Sequence, residues 1–540
     1  MTDRAQRGRD GTAFSIGDPR QALLLASALG LSAFVIAYPF TLVRYPPLTD
    51  LPFHAALTSI LRHYCDPAWH FRDQFALQLL TVPYLSMYVV GAVLALVMPI
   101  WAAAKVMAIV MLALIPAGMA VLFHGMKKNP LWGLSGLAFV WCTDTQWGFL
   151  NFMGATGLFM MSVGYALLVV DRPTRARRVG LAVVLLLLFF THVYRFPYAV
   201  LGVLLAGAVV FPVTKRFSPL VWPLVPALAL FVVWIAIRPK GMGISFSELG
   251  FHAERFSFIP RHLFGAYLPT EPAPPTPESV AERRIAKHML VLGLFTMGAA
   301  TVLALGDGRR RERSHAEIRW ARGVTALALL LAAGFFVGYL TLPFQAGNWF
   351  YVYPREIVGA ALALVAVAPD LPRSFGQRLA FVALLGACAT PMTRFVSARF
   401  REFETATADF RAVMAAMPRS PKLFYLVYWL GDASNKRVSP FLHLPAWVQA
   451  EKGGALDFHF VDWNQSPVRY RAAGEWVPPP PPEHFEWEPQ YFNVLTLGPW
   501  FDTFLVRHRI DPHELFDPDP SVHLLLHRGT WWLYRRSPVK

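Results

Sequence analysis

The stretch "RYPPLTDLPFHAALTSILRHY", residues 44–64, lies between the first two long apolar blocks of the chain. Apolar residues after Pro52 recur three and four positions apart, which predicts a helix whose apolar face consists of Phe53, Ala56, Leu57, Ile60, Leu61 and Tyr64. The opposite face carries His54, Thr58 and Arg62. A helix of about 12 residues is too short to cross a bilayer, so we expect it to lie in the membrane interface.

Asp50 directly precedes this helix, and two interpretations of it are open. An aspartate in this position often accepts hydrogen bonds from the free N–H groups of the first helical turn, which would make it an N-cap. The alternative is that its carboxylate belongs to a functional site together with His54, four residues later. The residues alone favour the cap.

The composition indicates a membrane protein. The chain has 540 residues, of which 55% are hydrophobic and only 16% are charged, against about 25% charged residues in soluble proteins. The apolar residues form blocks of roughly 20 residues, the length that crosses a hydrocarbon core. We therefore predict an α-helical polytopic membrane protein.

The net charge of +16 follows the positive-inside rule, because the basic residues fall mostly in short runs between apolar blocks. We therefore expect contacts with membrane lipids and none with nucleic acid. The short basic runs are predicted to be cytoplasmic, and they lie at 1–20, 171–178, 214–217, 307–322 and 370–378.

Twelve apolar blocks are visible, at 21–43, 79–98, 101–123, 131–149, 153–170, 180–193, 197–211, 219–237, 289–306, 322–343, 357–369 and 377–393. A cytoplasmic N-terminus and an external C-terminus require an odd number of crossings, so we expect roughly 11 or 13 spans. The predicted organisation is a cytoplasmic tail (1–20), a transmembrane domain (21–394) with external loops 44–78 and 239–288, and an external α/β domain (395–540). Three stretches of that last domain read as strands: "PRSPKLFYLVYW" (418–429), "NVLTL" (493–497) and "VHLLLHRGTWWLYRR" (522–536).

An acid at the start of a juxtamembrane helix, in the first external loop of a many-span protein with an external C-terminal domain, resembles the GT-C superfamily of glycosyltransferases. This superfamily includes protein O-mannosyltransferases, the aminoarabinose transferases of lipid A and oligosaccharyltransferases. The resemblance implies a polyprenyl-phosphate-linked sugar donor, with Asp50 as the base or the acceptor-orienting carboxylate. It implies that His54 orients Asp50 or touches the acceptor.

The chain departs from the mannosyltransferases in one respect. They have an acidic pair followed closely by a histidine, whereas "TDLPFH" (49–54) contains a single acid. Some relatives use a divalent cation such as Mg²⁺ or Mn²⁺, and Asp50 would be its ligand here. The chain is more similar to uncharacterised bacterial membrane proteins with "PPLTDxPxH" in this loop, a motif seen here as "QWGFLNFMGATG" (146–157) and a final strand seen here as "RGTWWLYRR" (528–536).

The donor phosphate requires cationic or polar partners, and two segments offer them. "YVYPRE" (351–356) places Arg355 and Glu356 at the outer end of a membrane helix, where an aromatic belt with a snorkelling arginine is the alternative. "FFTHVYRFPY" (189–198) places His192 and Arg195 inside an apolar block. Ionisable residues at membrane depth usually face a cavity or a partner, although a helix-end snorkel is again the alternative.

Two further segments carry candidates. Arg255 and Arg261, in the external segment "HAERFSFIPRH" (252–262), are also candidates for binding the donor phosphate, with an ordinary solvated loop as the alternative. Asp144 and Asn151 interrupt the fourth block, either as a plain external turn or as the polar edge of a sugar pocket in which Trp147 stacks on the ring.

The predicted function is transfer of a sugar from a polyprenyl-phosphate-linked donor to a lipid, glycan or protein acceptor on the outer face of a bacterial inner membrane. The sequence contains no H-E-x-x-H, G-x-S-x-G, P-loop or G-x-G-x-x-G motif, which argues against a protease, a hydrolase and an ATP-driven transporter. Two alternatives stay open: a transporter or flippase for a lipid-linked or polar solute, and a GT-C-like scaffold without catalytic activity.

Overall fold

A computed structural model describes residues 18–79, 82–237, 249–265, 277–308, 314–347, 349–372, 374–431, 439–463, 466–481 and 486–537. Predictions about residues 1–17 of the N-terminal tail, and about residues 239–248 and 266–276 of the second external loop, lie outside this part of the chain. The α-helices are α1 (Pro19–Ile36), α2 (Tyr38–Thr41), α3 (Leu51–Arg62), α4 (Phe71–Gln74), α5 (Ser86–Leu94), α6 (Ile100–Gly125), α7 (Thr143–Trp147), α8 (Leu150–Asp171), α9 (Arg175–Thr191), α10 (Phe196–Thr214), α11 (Val221–Ile237), α12 (Ile259–Phe264), α13 (Pro277–Gly308), α14 (His315–Thr341), α15 (Glu356–Val365), α16 (Phe375–Ala406), α17 (Ala408–Ala416) and α18 (Ala446–Lys452).

The prediction of a polytopic helical membrane protein is confirmed. Within the described residues, eight helical segments are long and apolar enough to cross a membrane: Pro19–Ile36, Ile100–Gly125, Leu150–Asp171, Val193–Thr214, Ser218–Ile237, Val280–Gly306, His315–Thr341 and Phe375–Ala416. Other apolar blocks form shorter elements, since α5 has 9 residues and α15 has 10. The helix that begins at Pro277 also shortens the predicted external loop, which was expected to reach residue 288.

A seam of glycines packs α6 against α8. A Cβ atom at Gly118 would overlap the carbonyl oxygen of Gly157, and one at Gly125 would overlap that of Gly164. Helices in membranes approach this closely only through small residues. Gly157 is the last residue of the "QWGFLNFMGATG" motif, so part of that motif has a packing role.

The C-terminal region contains a five-stranded sheet in the order β3-β2-β5-β7-β6, in which β2 is parallel to β3 and to β5 and the other pairs are antiparallel. Its strands are β2 (Lys422–Val427), β3 (Ala455–Leu456), β5 (Thr503–Arg507), β6 (Val522–Arg528) and β7 (Trp531–Arg536). Two strand predictions hold, but that for "NVLTL" is wrong, because 493–497 form a turn beside β5. The helix α16 continues through residue 395, where the external domain was predicted to begin.

The C-terminal region covers the first external loop. Strand β1 (Phe75–Leu77) of that loop pairs antiparallel with β4 (Val468–Tyr470), and α18 packs against α3. The predicted length of α3 is correct, since it has 12 residues, but its predicted interfacial position is wrong. Residues 51–60 are buried on both faces, because α5 covers the polar face at His54 and Thr58 and the C-terminal region covers the apolar face at Phe53.

Candidate functional site

Asp50 occupies the N-cap position of α3 without acting as a cap. Its side chain makes no hydrogen bond to the first helical turn. Instead, the Nδ1 atom of His443 lies 3.1 Å from Asp50 Oδ1, and their side chains are 6% and 13% exposed respectively. The cap interpretation is therefore wrong, and the carboxylate is turned towards the C-terminal region.

The backbone of Asp50 is fixed by the turn that precedes α8. The N–H of Asp50 donates to the carbonyl of Trp147 at 3.0 Å, and the N–H of Thr49 donates to the carbonyl of Gln146 at 3.2 Å. Gly148 has φ of +89°, and a Cβ there would lie 2.7 Å from the backbone nitrogen of Asp50. This position therefore requires glycine for both its conformation and its clearance.

His54 holds the same turn from the other side and does not contact the Asp50 carboxylate. Its Nε2 lies 3.2 Å from the carbonyl oxygen of Gly148, and its Nδ1 lies 2.9 Å from the Tyr88 hydroxyl. Since a carbonyl only accepts, Nε2 carries the proton and Nδ1 accepts from Tyr88. Burial lowers the pKa of His54, and the charge of Asp50 partly opposes this effect. The neutral ring of His54 makes two hydrogen bonds and thereby positions the turn. The place beside Asp50 that was expected for His54 is taken by His443.

Arg195 and Glu356 pair with each other. Arg195 Nη1 donates to Glu356 Oε2 at 2.6 Å with both side chains fully buried, and Arg195 Nη2 donates to the carbonyl of Arg355 at 3.1 Å. The Tyr194 hydroxyl donates to the other Glu356 oxygen at 2.8 Å. The two opposite charges therefore offset each other, and the pair supports the backbone of Arg355.

Arg355 makes no ion pair with any residue that the structure describes. Its Nη2 donates to the carbonyl of Phe350 at 2.7 Å, and its Cζ lies 3.9 Å from the centroid of the Phe149 ring. Burial lowers the pKa of Arg355, while the nearby charges of Asp144 and Asp50 raise it. Arginine stays protonated in proteins, so a positive charge faces the site.

Asp144 belongs to the short helix α7 and is 1% exposed. Burial raises the pKa of this carboxyl to about 7, against the lowering effect of the positive charges on Arg355 and Arg195. Its Oδ2 has no hydrogen-bond partner among the described residues. The carboxyl therefore changes its charge near neutral pH, close to Arg355.

The ring of Phe152 joins the cationic side of the site. Its centroid lies 4.4 Å from Arg195 Cζ, 5.2 Å from Arg355 Cζ and 5.5 Å from the His192 ring. The structure thus brings together Asp50, Asp144, Asn151, His192, Arg195, Arg355 and Glu356, although they come from four separate segments of the chain.

Several buried polar atoms around this centre have no hydrogen-bond partner within the described part of the chain. They are Asp144 Oδ2, Asn151 Oδ1, His192 Nδ1, Arg355 Nε and His443 Nε2. Folded proteins leave few such groups unpaired, since each one costs about 1–3 kcal/mol. A cluster of them is what a site for a polar ligand would present.

The two arginines of the external segment do not behave alike. Arg255 is buried, donates to the carbonyls of Tyr339 and Leu342 at 3.0 and 2.7 Å, and lies 3.7 Å from the Tyr353 ring centroid. These contacts make Arg255 a structural anchor of α14. Arg261 is partly exposed, and the Thr143 hydroxyl lies 2.9 Å from its carbonyl oxygen, which links this segment to the neighbour of Asp144.

The described residues contain no group of three or more His, Cys, Asp or Glu side chains arranged to hold a metal ion. Around Asp50 the donor set is one carboxylate and one imidazole, His443. Mg²⁺ prefers oxygen ligands and is usually held by one or two carboxylates together with waters and substrate phosphates, and Asp50 supplies one such carboxylate. A divalent cation at Asp50 stays a prediction.

Sequence reasoning missed two residues of this site. His443 lies 393 positions from Asp50, in the apolar context "PFLHLPAW" (440–447), where no spacing relates it to the first loop. Tyr88 lies in the middle of the apolar block at 79–98, where no spacing relates it to Asp50 or His54.

No family model matches the chain, and no curated protein matches its sequence significantly. Among solved structures, the fold is similar to that of ArnT from Cupriavidus metallidurans bound to undecaprenyl phosphate. That comparison has a TM-score of 0.51, 12% sequence identity and coverage of 96% of this chain and 98% of that chain. The apo state of the same protein gives a TM-score of 0.50 at 12% identity, covering 95% and 97%.

The chain has a GT-C-like fold. The likeness extends over nearly the whole of both chains, so it includes the C-terminal region as well as the membrane helices. The fold expected from the sequence is therefore confirmed, while the low identity leaves the reaction to be argued from the site.

Proposed function

We propose that this protein is a glycosyltransferase that moves a sugar from a polyprenyl-phosphate-linked donor to an acceptor. One observation carries the proposal: a buried arginine that has no ion-pair partner among the described residues and a carboxylate that does not cap its helix flank the same turn. Asp50 is bonded to the backbone of Trp147, and Arg355 stacks on the ring of Phe149, two residues later. The unpaired polar atoms of Asp144, Asn151 and His192 belong to the same centre.

In the proposed displacement, one side chain acts on the attacking acceptor and another acts on the leaving phosphate. Asp50 accepts the proton of the acceptor's nucleophilic O–H or N–H group as that group attacks the anomeric carbon. The bond between this carbon and the phosphate oxygen breaks, and its electron pair leaves on the polyprenyl phosphate. Arg355 stabilises the negative charge of the leaving phosphate, most strongly because it is shielded from water.

The remaining residues of the centre have supporting roles. Asn151 and His192 offer unpaired atoms to sugar hydroxyls or to the phosphate, and the partly exposed ring of Trp147 can stack on a sugar face. Arg195 and Glu356 hold the backbone of Arg355 and do not bind the donor directly. The acceptor is a lipid, a glycan or a protein.

The cell location belongs to the same proposal. The basic runs place the N-terminal tail in the cytoplasm and the C-terminal region outside, in a bacterial inner membrane. The polyprenyl tail would then remain in the bilayer while the reaction takes place at the outer face.

The test is a transfer assay with the purified protein in lipid nanodiscs. A panel of undecaprenyl-phosphate-linked sugars is incubated with mixed acceptors, and release of undecaprenyl phosphate is measured for the wild type, Asp50→Asn and Asp73→Asn. Asp73 is an exposed acid of the same loop that pairs with His70, so its variant controls for the loss of a loop charge. We expect turnover in the wild type and Asp73→Asn, and a loss of at least about a hundredfold in Asp50→Asn.

Two results would contradict the proposal. Equal turnover by Asp50→Asn and the wild type would remove Asp50 from the chemistry. Absence of turnover with every donor, together with uptake of a lipid-linked or polar solute by vesicles containing the protein, would favour the transporter.

A further inference from the structure

We propose that His443 is a positioning residue that holds the Asp50 carboxylate in its reactive direction. The inference rests on the proposed function and adds a residue from the C-terminal region to it. The geometric basis is the 3.1 Å contact between His443 Nδ1 and Asp50 Oδ1, in a pair that is almost wholly buried.

The Asp50 carboxylate has its hydrogen-bond partner outside α3. A capping aspartate normally has an extended backbone and turns back to bond the N–H groups of the first turn. Asp50 instead has helical backbone dihedrals, with φ of −89° and ψ of −9°, and Pro52 supplies no N–H. The carboxylate makes no capping contact and bonds His443 instead. Without His443, no side-chain hydrogen bond among the described residues fixes the direction of the carboxylate.

The ring of His443 is held in a pocket of aromatic side chains. Its centroid lies 4.8 Å from that of Phe53, 5.5 Å from that of Phe460 and 6.4 Å from that of Phe458. The contact with Asp50 places the single proton on Nδ1, because a carboxylate accepts. Asp50 Oδ1 is then occupied and Oδ2 is left for the proton of the acceptor.

Other charged and titratable groups face the pair, and they bear on its pH response. His54 comes from α3 itself, Tyr88 from α5 and Arg355 from the segment before α15, and each of them interacts electrostatically with Asp50. None of the three supplies a hydrogen bond to the Asp50 carboxylate. His443 is therefore its one side-chain donor among the described residues.

The variants His443→Leu and His443→Asn separate positioning from proton transfer. Leucine removes the donor, whereas the asparagine amide can place an N–H near the position of Nδ1 but cannot titrate at physiological pH. We expect kcat of His443→Leu to fall about a hundredfold, as for a small misplacement of a reactive group, with the donor KM nearly unchanged. His443→Asn should recover kcat to within about tenfold of the wild type.

The pH–rate profile gives a second readout. A hydrogen bond to a carboxylate favours its charged form, so loss of the donor should move the acidic limb of the profile of His443→Leu to higher pH. The profile of His443→Asn should keep the wild-type limb. The control is His513→Leu, which removes a histidine that pairs with Asp517 at 2.9 Å on the exposed surface; its kcat and profile should match the wild type.

A thermal cycle tests the contact without any activity. Apparent Tm is measured for the wild type, Asp50→Ala, His443→Leu and the double variant. Two groups in direct contact give non-additive losses, so we expect the double variant to lose less than the sum of the single variants.

Each arm has an outcome that overturns the proposal. Additive Tm losses would mean that the two side chains do not interact. Unchanged kcat in His443→Leu, with Asp50→Asn inactive, would refute positioning while leaving the proposed function intact. If His443→Asn is as inactive as His443→Leu, then His443 transfers a proton and does not merely position Asp50.

Discussion

Replacing Glu356 by glutamine tests whether the Arg195–Glu356 pair supports the site or binds the donor. The change keeps the shape of the side chain and removes its charge. Arg195 would then be a fully buried cation without its counter-ion, since the two side chains are 0% exposed and 2.6 Å apart. Removing one partner of a buried ion pair typically costs about 3–5 kcal/mol.

The expected result is a large loss of stability. For a chain of 540 residues, whose entropy of unfolding scales to about 1.1 kcal/mol per kelvin, a cost of that size corresponds to a fall in apparent Tm of roughly 3–5 °C. The assay follows tryptophan fluorescence during heating, with titration of undecaprenyl phosphate at a temperature where the variant is still folded. At that temperature we expect binding within about threefold of the wild type, because the phosphate contact is assigned to Arg355.

Two further variants make this test specific. Arg355→Gln should keep most of its thermal stability and weaken binding of undecaprenyl phosphate by at least about thirtyfold, as for a lost charge-assisted contact. The double variant Arg195→Met with Glu356→Leu should recover most of the Tm, because an apolar pair of similar volume can replace a buried ion pair. An unchanged Tm in Glu356→Gln would refute the assignment. So would loss of binding in the double variant while Arg355→Gln still binds.

Three other predictions concern the turn at 144–148. Burial raises the pKa of Asp144 to about 7, so this residue is neutral below that pH and opposes the phosphate above it. Because the phosphate itself gains charge in this range, with a second pKa of about 6, the effect is read against Asp144→Asn. Between pH 6 and pH 8, the wild type should lose about three- to tenfold in affinity for undecaprenyl phosphate relative to that variant. An equal pH dependence in the wild type and that variant would exclude Asp144 as its source. Gly148→Ala places a Cβ 2.7 Å from the Asp50 nitrogen at a φ of +89°. We expect kcat to fall about a hundredfold and Tm to fall by only a few degrees. An unchanged kcat would contradict the role of the turn in positioning Asp50. Trp147→Ala should raise the donor KM about tenfold with little effect on Tm, which steady-state kinetics and thermal scans would check; an equal KM would show that the ring does not stack on the sugar.

Local sequence patterns predicted the elements around Asp50 well. The three- and four-residue spacing after Pro52 gave the correct helix, which runs from Leu51 to Arg62. The predicted surroundings of that helix were wrong, because α5 covers its polar face and a region more than 380 residues later in the chain covers its apolar face. Periodicity reports which residues share a face, and it carries no information about what will cover that face.

For the functional residues too, the sequence predicted which side chains belong to the site but not what each one contacts. A polar group inside an apolar block is visible in the sequence, so His192, Arg195 and Asp144 were all found. Their roles were not visible, because they depend on pairing across the fold. Arg195 is offset by Glu356, whereas Arg355, its neighbour in space, has no ion-pair partner among the described residues.

The contact between Asp50 and His443 also sets an order of events during biosynthesis. The two residues are 393 positions apart, and ribosomes add about 5–20 residues per second. The loop that carries Asp50 is therefore complete roughly 20–80 seconds before its partner has been made. During that interval the nascent chain already contains its proposed base but not the histidine that directs it. The site is therefore complete only after the last quarter of the polypeptide has emerged.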